Sequence, residues 1–112
     1  MSPQLEEARR FLRMAQADFS AFNILATHNA APAIALFHAQ QAAEKSLKAV
    51  LCLHSIEFRR THDLELLANL LLPAAACPVP QSHFRLLTPY AVEFRYDDEG
   101  ASQVDAPKVG PI

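Results

Sequence analysis

Five histidines are the side chains of this 112-residue sequence best suited to bind a metal ion: His28, His38, His54, His62 and His83. A metal site inside a helical protein usually takes two ligands from one helix face, spaced as Glu-x-x-His or His-x-x-x-His. None of the five histidines has such a neighbour, and Gln41, which shares a helix face with His38, is a poor ligand. The sequence therefore predicts no metal site and no cofactor.

The motifs for nucleophilic catalysis and for phosphate binding by a loop are also absent from the sequence. No serine lies in a Gly-x-Ser-x-Gly turn, and Cys52 lies in a helical pattern with no obvious base beside it. The only glycines are Gly100 and Gly110, which excludes a glycine-rich phosphate loop. Two cysteines, Cys52 and Cys77, are too few for a disulfide framework, so we expect reduced thiols in a cytoplasmic protein.

Three polar groupings remain as candidate sites, and each has a purely structural alternative. They are Gln41-Glu44-Lys45-Lys48, His62-Asp63 and Arg95-Tyr96-Asp97-Asp98. The first is also typical of a solvated helix face, with Glu44 and Lys48 as an i,i+4 ion pair. The second fits helix capping by Asp63, and the third fits a helix end where Arg95 satisfies free carbonyl groups.

The segments that must position these groupings carry helical patterns. Ser2 and Pro3 are a start signal for a first helix, which is expected to end near residues 27–29. Its apolar residues recur at steps of three and four, as on one face of a helix. A second helix is predicted over residues 32–54, and its many alanines would allow a neighbouring helix to approach closely.

Two further helices are predicted in the second half of the chain. Thr61 is expected to cap a third helix that runs through Leu72, and a fourth is expected over residues 81–96. Within the fourth, Thr88 and Pro89 either start a helix segment or kink a longer helix, because proline removes a backbone hydrogen bond.

The helical segments together predict an all-α fold, an antiparallel up-down bundle of four or five helices. A composition rich in alanine and leucine and nearly free of glycine agrees with it. We expect the bundle to occupy residues 1–98. Residues 99–112 are polar and interrupted by glycine and proline, which predicts a flexible or draped tail.

Three blocks of the sequence resemble the signature blocks of the HEPN domain family. They read FHAQQAAEKSLKAVL (residues 37–51), THDLELLANLL (61–71) and LTPYAVEFRYDD (87–98), in the order and spacing of that family. The resemblance implies a helical bundle that is often dimeric and is often encoded beside a minimal nucleotidyltransferase. Some relatives are the toxin half of such a two-protein system and cleave RNA.

The ribonucleases of the family use an arginine followed four to six residues later by a histidine, and this sequence departs from that motif. No histidine follows Arg95 within reach, and Arg59 and Arg60 precede His62 too closely. This departure from the ribonuclease motif favours a non-catalytic protein. The alternative is a ribonuclease toxin with a diverged site, in which His62 acts as base and Arg95 stabilises phosphate charge.

The leading hypothesis is a nucleotide-binding or interaction module. By the resemblance, Lys45, Lys48 and Arg95 would hold phosphates and Tyr96 would stack on a base. Supporting residues would be Gln41, Glu44, His62 and Asp63. A further alternative is a structural homodimer that uses the alanine-rich second helix as its contact face.

Charge and hydropathy narrow the possible partners. The net charge of -2 gives no overall attraction to a polyanion, so RNA or nucleotide binding would need a local basic patch. No apolar run approaches the ~20 residues of a membrane span. The expected partners are a second copy of the chain, a minimal nucleotidyltransferase, and a nucleotide or RNA, with no membrane.

Overall fold

Helices are the only regular elements in the residues that the structure, a computed structural model, describes, which are 2–75 and 82–90. Helix α1 spans Pro3–Thr27, α2 spans Pro32–Leu53, α3 spans Leu64–Leu71 and α4 spans residues 82–90. The predicted all-α fold is confirmed. The proposed boundary between bundle and tail lies outside the described residues.

The start of α1 has the predicted capping chemistry. Ser2 has an extended backbone, and its hydroxyl oxygen accepts a hydrogen bond of 3.1 Å from the backbone N–H of Leu5. Pro3 occupies the first turn, where its missing N–H would have had no helical acceptor. Glu6 adds a negative charge beside the positive end of the helix dipole.

The connection between α1 and α2 is short and uses left-handed backbone conformations without glycine. Asn29 has φ 52° and Ala31, the residue before α2, has φ 44°. Asparagine tolerates this region, whereas alanine pays ~1–2 kcal/mol for the contact between its Cβ and the backbone. The turn reverses the chain, so that α2 runs back along α1.

Contacts along the two long helices confirm this reversed course. Asp18 of α1 bonds to both His38 and Lys45 of α2, while the ring of Phe11 lies 6.3 Å from that of Phe58, beyond the end of α2. The buried residues of α1 are alanines, and small side chains let two helix backbones approach closely.

The start of α3 differs from its predicted position. The sequence favoured Thr61 as the cap, but Asp63 is the N-cap, and its carboxylate accepts from the N–H of Leu66 at 3.2 Å. Thr61 instead accepts from the N–H of Asp63 at 3.1 Å. Both residue types cap well, and Thr61 supports the turn that leads into the helix.

The apolar core lies where α2, α3 and α4 meet. It consists of Leu47, Leu51, Leu64, Leu67, Ala68, Leu71 and Phe84. Helix α1 contributes no residue to this cluster, so it attaches to α2 through a thinner layer of small side chains. Within residues 2–75 and 82–90, one long side of the α1–α2 pair is consequently left with little apolar cover.

Helix α4 excludes one of the two alternatives for Thr88 and Pro89, the start of a helix segment at these residues. Both residues lie inside the helix, and Thr88 does not cap its own helix. Its hydroxyl donates to the carbonyl oxygen of Phe84 at 3.0 Å and accepts from the N–H of Leu64 at 3.2 Å. Thr88 therefore satisfies the first backbone N–H of α3, a helix 24 residues earlier in the chain. The part of the predicted fourth helix beyond residue 90 lies outside the described residues.

Candidate functional site

A row of polar side chains follows one side of α2. His38, Gln41, Lys45 and Lys48 are spaced by three, four and three residues, which aligns them along the helix axis. Gln40 and Glu44 lie beside this row on the side toward α3. The predicted grouping of Gln41, Glu44, Lys45 and Lys48 therefore lies on neighbouring positions of one helix.

Glu44 is the centre of the more buried half of this row. Its side chain is only 4% exposed. Lys48 Nζ donates to Glu44 Oε2 at 2.9 Å, while Gln40 Nε2 and His62 Nδ1 approach Oε1 at 3.1 and 2.9 Å. Each carboxylate oxygen thus has at least one donor, as a charge removed from water requires.

The acidity of Glu44 follows from these contacts. Burial by itself raises the pKa of this carboxyl group, but hydrogen bonds from Lys48, His62 and Gln40 oppose it and hold the pKa below the ordinary glutamate value. Glu44 is therefore an anion at neutral pH, and it is matched by the Lys48 ammonium group.

Two glutamines extend the network to the segment before α3. Gln40 is fully buried, and its Nε2 donates to Glu44 and to the backbone carbonyl oxygen of His62 at 3.1 Å. Gln41 Nε2 donates to Gln40 Oε1 at 2.6 Å. The structure therefore brings the predicted grouping of Gln41, Glu44, Lys45 and Lys48 together with His62 of the second grouping. The bonds to His62 hold the segment before α3 against α2.

A second carboxylate centre contains Lys45 and was not predicted from the sequence. Asp18 of α1 accepts from His38 Nδ1 at 2.8 Å through Oδ1 and from Lys45 Nζ at 3.0 Å through Oδ2. The one available signal was a charged residue beside the apolar stripe of α1, next to Phe19. Its partners could not be identified, since they lie 20 and 27 residues away in the sequence.

The remaining predicted site residues are placed as follows. Asp63 caps α3 and makes no bond to the Glu44 network among the described residues. Arg95 and Tyr96 lie outside the described residues, as do Asp97 and Asp98. The structure therefore leaves the predicted nucleotide-binding set of Lys45, Lys48, Arg95 and Tyr96 untested.

Neither a metal centre nor a reactive thiol emerges from the described residues. Within 2–75 and 82–90, no three His, Cys, Asp or Glu side chains lie close enough to hold a metal ion. Burial raises the pKa of the Cys52 thiol, which lowers its thiolate fraction and its nucleophilicity. None of the described helices is long and apolar enough to cross a membrane.

The side of α2 away from the polar row forms an apolar groove with α1. The groove has a volume of about 400 Å³ and is lined by Leu12, Ala15, Gln16, Phe19, Phe22, Ala39, Ala42, Ala43 and Ser46. The rings of Phe19 and Phe22 stack with centroids 6.5 Å apart. Phe19 is nevertheless 56% exposed, and Leu12 is 48% exposed. Large apolar side chains beside a hollow of small residues are typical of a protein-binding surface.

Comparison with known proteins identifies one related family. A family model described as the HEPN domain matches residues 7–109, which is nearly the whole chain. No curated protein and no solved structure gives a match.

Proposed function

Because this chain belongs to the HEPN domain family, we propose that it is a non-catalytic interaction module whose first partner is a second copy of itself. The contact surface is the apolar groove between α1 and α2. The observation that carries the proposal is Phe19, a large aromatic side chain 56% exposed beside a hollow lined by small residues.

The shape of the groove suits a two-fold symmetric dimer. In such a dimer the same patch serves both subunits, so it must carry both a protruding group and the hollow that receives it. Phe19 is the protruding group, and Ala39, Ala42 and Ala43 line the hollow. Two-fold symmetry then inserts Phe19 of each copy into the alanine hollow of the other and removes both rings from water.

The expected free energy of dimerisation follows from burial of the two Phe19 rings. Burying one phenylalanine side chain contributes ~1.5–3 kcal/mol, and the symmetric contact counts this contribution twice. Truncation of such an anchor typically costs ~2 kcal/mol or more. Replacing Phe19 by a charged residue should therefore weaken the dimer by several powers of ten.

The test is the oligomeric state of purified wild-type protein and of Phe19→Asp, measured by sedimentation over a range of concentrations. Leu86→Asp is the matched control, since Leu86 is 72% exposed on α4 and does not line the groove. We expect dimers for wild type and Leu86→Asp and a monomer for Phe19→Asp, all with similar helix content. A wild-type monomer at every concentration, or an unchanged Phe19→Asp dimer, contradicts the proposal.

The ion pairs of Lys45 and Lys48 argue against a nucleotide as the main ligand of the described residues. A phosphate that bound Lys45 or Lys48 would compete with Asp18 or Glu44, which already neutralise these lysines. We therefore expect ATP to leave the melting temperature unchanged. A ligand present at 100 times its Kd would add ~2.7 kcal/mol of stability, so a clear rise would restore the nucleotide-binding hypothesis.

Ribonuclease activity and pairing with a minimal nucleotidyltransferase stay predictions from the family resemblance. His62 is held by Glu44 through Nδ1, and its other possible catalytic partner, Arg95, is not among the described residues. We expect no cleavage of structured RNA by the wild-type protein. Cleavage that His62→Ala abolishes would instead support the diverged ribonuclease.

A further inference from the structure

The ring of His38 is held in one tautomer by a carboxylate. Asp18 Oδ1 lies 2.8 Å from His38 Nδ1, and an ionised carboxylate can only accept a hydrogen bond. Nδ1 therefore carries a proton. In the neutral ring, the lone pair of the second nitrogen, Nε2, is then available as a base or nucleophile. Among residues 2–75 and 82–90 we find no hydrogen bond to Nε2.

A lysine shares the carboxylate that orients the ring. Lys45 follows His38 by two helical turns in the same row of α2, and its Nζ is 3.0 Å from Asp18 Oδ2. The side chains of His38 and Lys45 are 28% and 17% exposed, so solvent reaches both. Carboxylate, imidazole and ammonium groups therefore meet at one accessible point between α1 and α2.

We propose that His38 Nε2 is a phosphoryl-acceptor site that takes its phosphoryl group from a phosphoramidate, such as a phosphohistidine of another protein. The Nε2 lone pair attacks phosphorus and a new N–P bond forms. The P–N bond of the donor breaks, and the leaving nitrogen takes the bonding electron pair and a proton from water. The Nδ1 proton of His38 stays on the ring.

Asp18 and Lys45 are positioning residues in this reaction. The Asp18 carboxylate stabilises the positive charge that the ring acquires as Nε2 forms its new bond. Lys45 Nζ, bonded to the second oxygen of Asp18 at 3.0 Å, holds that carboxylate in place beside the ring. No atom of His38 lines the apolar groove, so the site is independent of the proposed dimer contact.

The other four histidines provide internal comparisons. His28 and His54 end α1 and α2 through backbone contacts, and His83 is exposed on α4; none of the three bonds to a carboxylate among the described residues. His62 also has a carboxylate partner, and its side chain is 29% exposed, about as much as that of His38. The oxygen that faces His62, Glu44 Oε1, also accepts from Gln40, so it stabilises a positive charge on the His62 ring less than Asp18 Oδ1 does on the His38 ring.

The experiment treats the purified full chain with potassium phosphoramidate and locates the product by mass spectrometry under neutral conditions, since phosphohistidine is acid-labile. We expect one phosphoryl group, attached to His38. His38→Gln should lose it, whereas the matched control His54→Gln should keep it. Helix content and melting temperature of each variant establish that the comparison is made on folded protein.

A variant of the positioning residue separates a chemical role from a structural one. In Asp18→Ala we expect phosphorylation of His38 to slow by about tenfold, the smaller end of the loss that follows when a metal-binding histidine loses the partner of its other ring nitrogen. Nitrogen-15 NMR should show a change of the His38 ring tautomer in the same variant, with the His62 ring unchanged. Equal labelling of His38 and His54, no labelling of His38, or an unaltered rate in Asp18→Ala overturns the proposal.

Discussion

Two carboxylates of this protein bind the same two types of side chain in different surroundings. Asp18 and Glu44 each accept from a histidine Nδ1 and a lysine Nζ, at 2.8–3.0 Å. The Glu44 side chain is 4% exposed and has a buried glutamine as an additional donor, whereas Asp18 is 14% exposed and lies at the seam between two helices. The comparison teaches that the same kinds of side chain can form a buried hydrogen-bond network, around Glu44, and a more exposed one, around Asp18.

Removing the buried carboxylate should have the largest effect on stability. Glu44→Ala leaves the Lys48 ammonium group without its anion and deprives Gln40 and His62 of an acceptor. We expect the free energy of unfolding to fall by about 3 kcal/mol, because breaking a buried pair leaves an uncompensated charge. Urea denaturation measures the loss, with the exposed Glu57→Ala as control. A loss no greater than that of the control would show that the hydrogen-bond network around Glu44 does not stabilise the fold.

The two lysines should differ when each is replaced by methionine, which keeps the length of the side chain. Lys48→Met removes a donor to a buried charge, for which we expect a loss of about 2 kcal/mol. Lys45→Met removes a more exposed partner and should cost less than about 1 kcal/mol. Equal losses in parallel urea denaturations would contradict the distinction between the two centres.

The pH dependence of stability should carry the signature of Glu44. Its pKa is lowered in the folded state, so the unfolded chain takes up the proton more readily and stability falls as pH drops below the ordinary glutamate value of 4.5. One group contributes at most about 1.4 kcal/mol per pH unit. Glu44→Gln should flatten the acid limb of a stability-pH profile relative to wild type, and an unchanged slope would contradict this assignment. Glu7 and Glu65, whose pKa values are also lowered, contribute equally to both proteins.

Removing the more exposed carboxylate should cost less stability than removing the buried one. Asp18→Ala is expected to cost about 1 kcal/mol, as is typical of ion pairs that water still reaches. Thermal and urea unfolding of Asp18→Ala and Glu44→Ala in the same buffer give the comparison directly. A larger loss for Asp18→Ala would mean that the contacts of Asp18 between α1 and α2 contribute more to stability than the network around Glu44.

The sequence predicted the elements better than the contacts between them. Start signals at Ser2, Pro3 and Pro32 located the two long helices, because proline and capping residues act within one turn. The pair of Glu44 and Lys48 was also expected, since residues four apart on a helix are neighbours. Asp18 was missed, because nothing local indicates which distant side chains a carboxylate meets.

Two further misses have the same physical cause. Gln40 and Gln41 are adjacent in the sequence, but a step of one residue turns 100° around the helix, and that turn places Gln40 against His62 and α3. At α3, Thr61 and Asp63 are both good caps, and the choice depends on tertiary packing that fixes where the helix begins. Neither difference is visible without the neighbouring elements.

The bond from the Leu64 N–H to the Thr88 hydroxyl has a consequence for the order of folding. Eight residues are too few for a helix to persist alone in water, because nucleation costs more than the few bonds return. One of the free amides at the start of α3 finds its acceptor only after a residue 24 positions later in the chain has folded back onto it. Helices α3 and α4 should therefore form as one cooperative unit, in a late step that depends on loop closure, after the hairpin of α1 and α2.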